Sequence, residues 1–238
     1  MTPPRFRSPS PLTTTGARVD LGDAVARHAH VLRLSIGAPV VVFDGTGREA
    51  SAEIRALTSS SILVELGTIE ERAFDTHAPV LVQCVPKGSK LDDIVRAATE
   101  AGVGEIHLAL AARSIARAEG ARFPRLGRIA EEAARQSEAP SVPNIVPPAR
   151  LLEVAARAPS TSARIVLSPR ASARMRGLLG ADRTTPPWLV VGPEGGLDDD
   201  ETSALMALGY TLGRLDTYVL RTEHAGPIAV AIARELSA

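Results

Sequence analysis

Two different patterns of hydrophobic and polar positions divide the chain. Up to about residue 72 it reads as short strands separated by turn signals. VVVFDGTGREASAEI alternates on either side of Asp44-Gly45-Thr46-Gly47, as a β-hairpin does around its turn. SILVEL predicts another strand. LGDAVARHAHVLRL instead places Val25, Val31 and Leu32 at helical spacing, which predicts a short helix running into Leu34. Together these elements predict a small β-barrel-like domain over residues 1–73.

TIEERAFDTHAP is a polar connection and marks the boundary, with a second domain over residues 74–238. VLVQCVP is a continuous apolar run, the signature of a strand buried on both faces. Ser89 is placed to cap a helix, LDDIVRAATEA, with Asp92 in its first turn and Gly102 just past its end. EIHLAL is the next strand. Pro124 opens a helix whose apolar face is Leu126, Ile129, Ala130 and Ala133. Then follow a strand (ARIVLS), a helix (SARMRGLLG), a strand (WLVVG), a helix begun by DDDE, a short strand (YTLG) and a last helix (HAGPIAVAIARELSA). Strands alternating with helices predict an α/β domain with a mostly parallel sheet.

Composition adds exclusions. The 238 residues are 45% hydrophobic, enough for a globular core. No apolar run approaches the roughly 20 residues that span a bilayer, and the N-terminus lacks a signal-peptide core. Cys84 is the only cysteine and sits in an apolar run, where a buried thiol is expected. No Cys/His ligand spacing occurs, so a cytoplasmic protein without a metal is expected. The formal net charge is +0, which speaks against a dedicated nucleic-acid binder. The distribution says more: Lys87 and Lys90 are the only lysines, and arginines gather at Arg5, Arg7 and Arg33 and from Arg113 to Arg135. Guanidinium forks suit phosphate contacts, and equally suit a solvated face.

In parallel sheets ligands bind beyond the carboxyl ends of the strands. Three such ends carry unusual residues: VPKGSK, VGPEGG and LGRLDTYVLRTEHAG. None has the spacing of a Walker loop or a dinucleotide fingerprint. Gly192, Gly195 and Gly196 allow close backbone approach to a ligand. Glu194, among those glycines, could accept from ligand hydroxyls or brace the loop. The acids from Asp198 to Glu201 have a simpler role, with Asp198 as N-cap of a helix that favours acids in its first turn. Arg221, Thr222 and Glu223 form a charged junction before a small-residue helix, and His224 follows.

These segments taken together resemble the RsmE family of 16S ribosomal RNA uridine-N3 methyltransferases, of the SPOUT class. RFRSPSPL and HVLRLSIGAPVVVFDGTG resemble its PUA-like RNA-binding domain. PKGSKLDDIVRAATEAGVGEI resembles its K-G-(D/E)-(R/K) and E-L-G-V segment, and the pair VGPEGGLDDDE and VLRTEHA is similar to its G-P-E-G-G and L-R-x-E-T-A. The resemblance implies a deep trefoil knot, a homodimer, and S-adenosyl-L-methionine as cofactor, with 16S rRNA in the 30S subunit as partner. It implies cofactor contacts from Gly192, Pro193, Glu194, Gly195, Gly196, Leu220 and Thr222. It implies RNA contacts from Arg5, Arg7, Arg33, Lys87, Lys90 and Arg113. For catalysis, Arg221 would stabilise the uracil anion and Glu223 would act as base or positioning group, with His224 as rival base. The sequence departs from the family in four places. QSEAPSVP replaces Q-S-G-R before the V-P, His224 stands for the threonine of E-T-A, Ala101 stands for the leucine of E-L-G-V, and extra residues lie within RLDTY. The alternatives are a related methyltransferase with another RNA target, and an RNA-binding or assembly protein with weakened catalysis.

Overall fold

A computed structural model describes residues 3–72, 75–114, 123–180 and 185–236. The chain forms two units: Met1–Phe74 with Ala134–Val142, and Asp75–Ala133 with Pro143–Ala238. Residues 134–142 therefore pack in the first unit, although they follow a long stretch of the second.

The first unit contains β1 (Arg5–Arg7), β2 (Arg18–Asp20), α1 (Gly22–Val31), β3 (Pro39–Phe43), β4 (Arg48–Leu57) and β5 (Ile62–Glu71). They make one five-stranded sheet in the order β1-β3-β4-β5-β2. β1 runs parallel to β3 and the other pairs are antiparallel. The hairpin expected at Asp44–Gly47 joins β3 to β4. Its pivot is Asp44, a buried carboxylate that accepts from the Thr46 backbone and hydroxyl, and from the Leu12 and Arg48 backbones. Phe6, Val40, Val42, Ile54, Ile62 and Val64 fill the core. The helix forms where the spacing predicts. Val25 packs against the core beside the buried Ala26 and Ala29, whereas Val31 is 77% exposed and Leu32 is also exposed. Small residues let this helix lie close on the sheet, and its C-terminal apolar residues run past it.

The second unit contains β6 (Val80–Cys84), α2 (Lys90–Glu100), β7 (Glu105–Leu110), most of α3 (Phe123–Gln136, its residues from Ala134 belonging to the first unit), β8 (Asn144–Arg150) and α4 (Leu151–Ala155). It continues with β9 (Arg164–Leu167), α5 (Met175–Leu178), β10 (Trp188–Val191), α6 (Asp199–Ala207), β11 (Thr211–Gly213) and α7 (Thr222–Glu235). Its six strands pair in the order β11-β9-β10-β6-β7-β8, and every pairing is parallel. The predicted α/β class with a parallel sheet is the observed one. β6 and β10 lie at the centre and are buried at every residue, as their unbroken apolar runs require. Burial pushes the Cys84 thiol up, so it is an inert core group. Ser89 occupies the cap position of α2, but its side chain makes no capping bond. Asp198 caps α6 in a full capping box with Glu201. β8 and α4 have no counterpart in the sequence pattern. β8 contains Pro147 and Pro148 and is half-exposed, which an edge strand tolerates and a central one does not.

Candidate functional site

The strand order places the chemistry. From β6 the chain winds outward through β7 to β8, then crosses to the other side for β9, β10 and β11. β6 and β10 are thus neighbours at the point where the winding reverses, and the loops at their carboxyl ends face each other there.

Those loops are tied by Glu194. Its carboxylate accepts from the Lys87 backbone N–H at 3.2 and 3.3 Å and from the Lys90 ammonium at 3.0 Å. Lys90 reaches further, to Glu223 Oε2 at 3.4 Å, and so joins the start of α7 to the same cluster. One lysine between two carboxylates links the loops after β6, β10 and β11. Burial pushes the Glu194 carboxyl up, but backbone N–H groups and Lys90 outweigh it and hold it below the usual carboxylate range. Glu223 is also held low, chiefly by its own backbone N–H in the first turn of α7 and then, against partial burial, by Lys90. Glu223 is 13% exposed, and its Oε2 is buried without a hydrogen-bonded donor.

Arg221 is the N-cap residue of α7, and its carbonyl accepts the first helical bonds from His224 and Ala225. Its guanidinium is 83% exposed and its nearest carboxylate oxygen, on Glu223, is 4.0 Å away. The donors of this fork therefore face solvent beside the cluster. Thr222 begins α7, His224 is exposed on its first turn, and Leu220 is half-buried just before it. Pro227 lies in the second turn and cannot donate to the Glu223 carbonyl, so the regular helical bond to that acceptor is absent. α7 approaches β6 closely because residue 226 is glycine: a Cβ there would lie 3.1 Å from both Gln83 Oε1 and Leu81 Cδ2.

The glycine loop is braced from a second direction. Arg113 Nη1 donates to the Gly195 carbonyl at 2.7 Å. Gly196 has φ 71°, a left-handed conformation natural to glycine, and a Cβ there would meet nothing within 4 Å. Pro193 is buried, and Gly192 packs on Leu197. Glu201 has more to do than its helix-start position suggests, because its Oε1 also accepts from the Ala112 backbone N–H at 2.7 Å. Gln83 is a further polar group at the site: it is fully buried, donates to the Cys84 carbonyl, and its Oε1 has no partner among the described residues. The signal was one amide in the otherwise apolar VLVQCV.

The expected RNA contacts divide on inspection. Lys87, Arg33 and Arg113 are exposed, and Arg33 sits at φ 56° where α1 ends. Arg7 packs against Gly45. Arg5 is corrected to a structural residue. It is 8% exposed, donates to the carbonyls of Ala134 and Ala139, pairs with Glu49 at 3.1 Å, and stacks 3.8 Å over Phe43. Its donors fix residues 134–142 onto the first unit and are not available to phosphate. In that segment Glu138, in the place of the glycine of Q-S-G-R, has φ 56°, and the missing arginine falls at Ala139. Arg117 and Arg122 lie outside the described residues. Among the described residues no helix is long and apolar enough to cross a membrane, and no group of three acidic, His or Cys side chains could hold a metal.

Comparison with known proteins agrees with this architecture. Residues 76–234 match the RNA methyltransferase domain and residues 21–67 the RNA methyltransferase PUA domain. Ribosomal RNA small subunit methyltransferase E of Mycobacterium bovis is 30% identical over 230 residues, which cover 92% of this chain and 86% of that protein. The protein of the same name from Synechocystis is 30% identical over 205 residues, 84% of this chain and 67% of its own length. Ribosomal RNA small subunit methyltransferase E from Neisseria gonorrhoeae, solved bound to S-adenosyl methionine, superposes with a TM-score of 0.91 at 28% identity, covering 99% of this chain and 98% of that one. The glycine loop tied to the start of α7 thus belongs to a shared fold, and the chain is a member of the ribosomal RNA small subunit methyltransferase E family of RNA methyltransferases.

Proposed function

We propose that this protein transfers a methyl group from S-adenosyl-L-methionine to N3 of a uridine in 16S ribosomal RNA on the small subunit, as a cytoplasmic homodimer. The observation that carries the reading is the Lys90 bridge, which holds the GPEGG loop and the start of α7 in one cluster. The site suits the cofactor on its own chemistry. Lys90, Glu194 and Glu223 together bear one net negative charge, complementary to a sulfonium cation. Gly196 leaves open space at the loop, and Pro227 cannot supply the regular helical bond to the Glu223 carbonyl. Gly192 to Gly196, Leu220 and Thr222 would hold the cofactor, largely through backbone groups, in the trefoil-knotted arrangement the family implies. The bound cofactor supplies an electrophilic methyl group, so no metal is required.

Uridine N3 is a poor nucleophile while it carries its proton. Losing that proton leaves a negative charge spread over N3 and the two flanking carbonyls. Arg221, with exposed donors beside the cluster, stabilises that charge by fixed hydrogen bonds. Glu223 is held in its ionised form and is thereby a weak base, so its part is to orient Lys90 and Arg221. His224, exposed on the same turn, is the better placed proton acceptor. The first unit, through its PUA-like fold, collects the RNA, with Arg33 among its exposed cations.

The deciding experiment incubates the protein with labelled S-adenosylmethionine and unmodified 30S subunits, then identifies the labelled nucleoside. N3-methyluridine is expected. Label in another nucleoside would overturn the position. No label, with cofactor binding intact, would favour the assembly-protein reading to which Ala139 points.

A further inference from the structure

The loop between β11 and α7, where the sequence carries its extra residues, ends in an aromatic group with no role in the fold. Of the described aromatic side chains, Phe6, Phe43, Trp188 and Tyr210 are buried, whereas Tyr218 is 97% exposed and Val219 beside it 81%. Folding does not require such exposure, and in a chain with only 3% aromatic residues it is a conspicuous placement. The base of the loop is anchored. Arg214 donates its backbone N–H to the Ala173 carbonyl at 2.9 Å and accepts from Met175 at 2.8 Å. The Asp216 carboxylate lies 3.4 Å from Arg174 and 3.8 Å from Arg214. Thr217 Oγ1 donates to the Tyr218 carbonyl at 2.9 Å. The tip is therefore presented from a fixed stem, three residues before Arg221.

We infer that Tyr218 is a stacking platform for an unpaired base of the RNA substrate, at or next to the target uridine. The inference rests on the proposed RNA methyl transfer and names a specificity residue for it. A nucleobase is the occupant that fits the surroundings. Arg174, paired with Asp216 two residues before Tyr218, and Arg221, three residues after it, are both largely exposed and supply cations for an RNA backbone near the ring's π-face. The reaction itself needs a base outside its stack, because the N3 edge is hidden in paired RNA. Stacking on Tyr218 offsets part of that unstacking, close to the arginine that meets the anion.

Two measurements test this. First, kcat/KM for 30S methylation is compared among wild type, Tyr218→Ala and Tyr218→Phe. Loss of one stacked base corresponds to about 5- to 150-fold. Tyr218→Ala should fall in that range, mainly through KM, while its affinity for S-adenosylmethionine is unaltered and Tyr218→Phe recovers nearly all activity. Second, fluorescence anisotropy measures binding of a short single-stranded oligouridylate, which needs no turnover. It should weaken at least fivefold in Tyr218→Ala alone. An alanine variant with wild-type values in both assays overturns the proposal. So does a phenylalanine variant as impaired as alanine, which would assign the role to the hydroxyl. A shift of Tyr218→Ala to a smaller species in sedimentation would instead make Tyr218 a contact between two copies of the chain. If wild type binds the oligonucleotide through Tyr218 but labels no 30S nucleoside, the proposed function fails and the platform stands.

Discussion

Arg5 and Arg221 carry the same head group in opposite circumstances. Arg5 is buried, with two carbonyls, a carboxylate and an aromatic face around it. Arg221 stands 83% exposed, with its nearest carboxylate oxygen at 4.0 Å. A guanidinium that is buried and held by its own chain is part of the architecture. One whose donors are left open beside a cluster of ionised groups is available to a substrate. Position in a basic stretch does not distinguish them; burial and the partners each holds do.

The contrast can be broken by mutation. Arg221→Ala should lower kcat for methyl transfer by about 10²–10³, the usual loss for one donor to a developing anion. Thermal denaturation should be unchanged, since an exposed side chain with one long contact adds little to stability. Arg5→Met should do the reverse. It removes one donor each from the Ala134 and Ala139 carbonyls and leaves Glu49 with only the longer contact to Arg72, so urea denaturation should show about 3 kcal/mol of lost stability, with turnover at low temperature preserved. If Arg5→Met slows turnover while leaving the urea midpoint in place, the division between the two arginines collapses.

Asp44 extends the comparison to a carboxylate. Burial pushes it up, but hydrogen bonds from Thr46, Leu12 and Arg48 together outweigh burial and keep it below the usual range. Its folded value being lower than its unfolded value, its stabilising effect is complete above about pH 4 and is lost as pH falls through the folded value. Asp44→Asn should therefore destabilise the protein at pH 7 by about 2 kcal/mol and flatten the acid limb of its stability curve. An acid limb as steep as that of wild type would show that other carboxylates govern it. The smallest effect is expected at Glu138, whose left-handed φ of 56° disfavours a side chain. Glu138→Gly should gain less than about 1 kcal/mol in the same denaturation assay, because glycine's greater freedom in the unfolded chain offsets part of the relief.

Much of the second unit was legible because its signals are local. The runs VLVQCV and WLVV could only be buried strands, and Asp198 with Glu201 spelled out a helix start that the structure shows as a capping box. β8 was not legible, because Pro147 and Pro148 read as loop until the sheet supplies an edge for them. The inward face of α1 is hard to read for a related reason: alanine carries little pattern, and helical spacing does not reveal that Val31 and Leu32 are exposed. At the site, the motifs pointed to Glu194, Arg221 and Glu223, but nothing in their spacing reveals that Lys90 joins two of them. Nor could the fate of Arg5 be read, since its partners lie 44, 129 and 134 positions away.

The two prolines of β8 have a consequence during synthesis. All-parallel sheets close through distant contacts and assemble slowly, so their strands stay open to other chains for longer. The edges of this sheet are β8, which lacks two backbone N–H groups, and β11, which is three residues long. Neither offers a long row of donors and acceptors for a neighbouring nascent chain to pair with. A crowded polysome could therefore fold many copies side by side with little sheet-to-sheet joining, and Pro147→Val with Pro148→Val should shift expressed protein toward inclusion bodies.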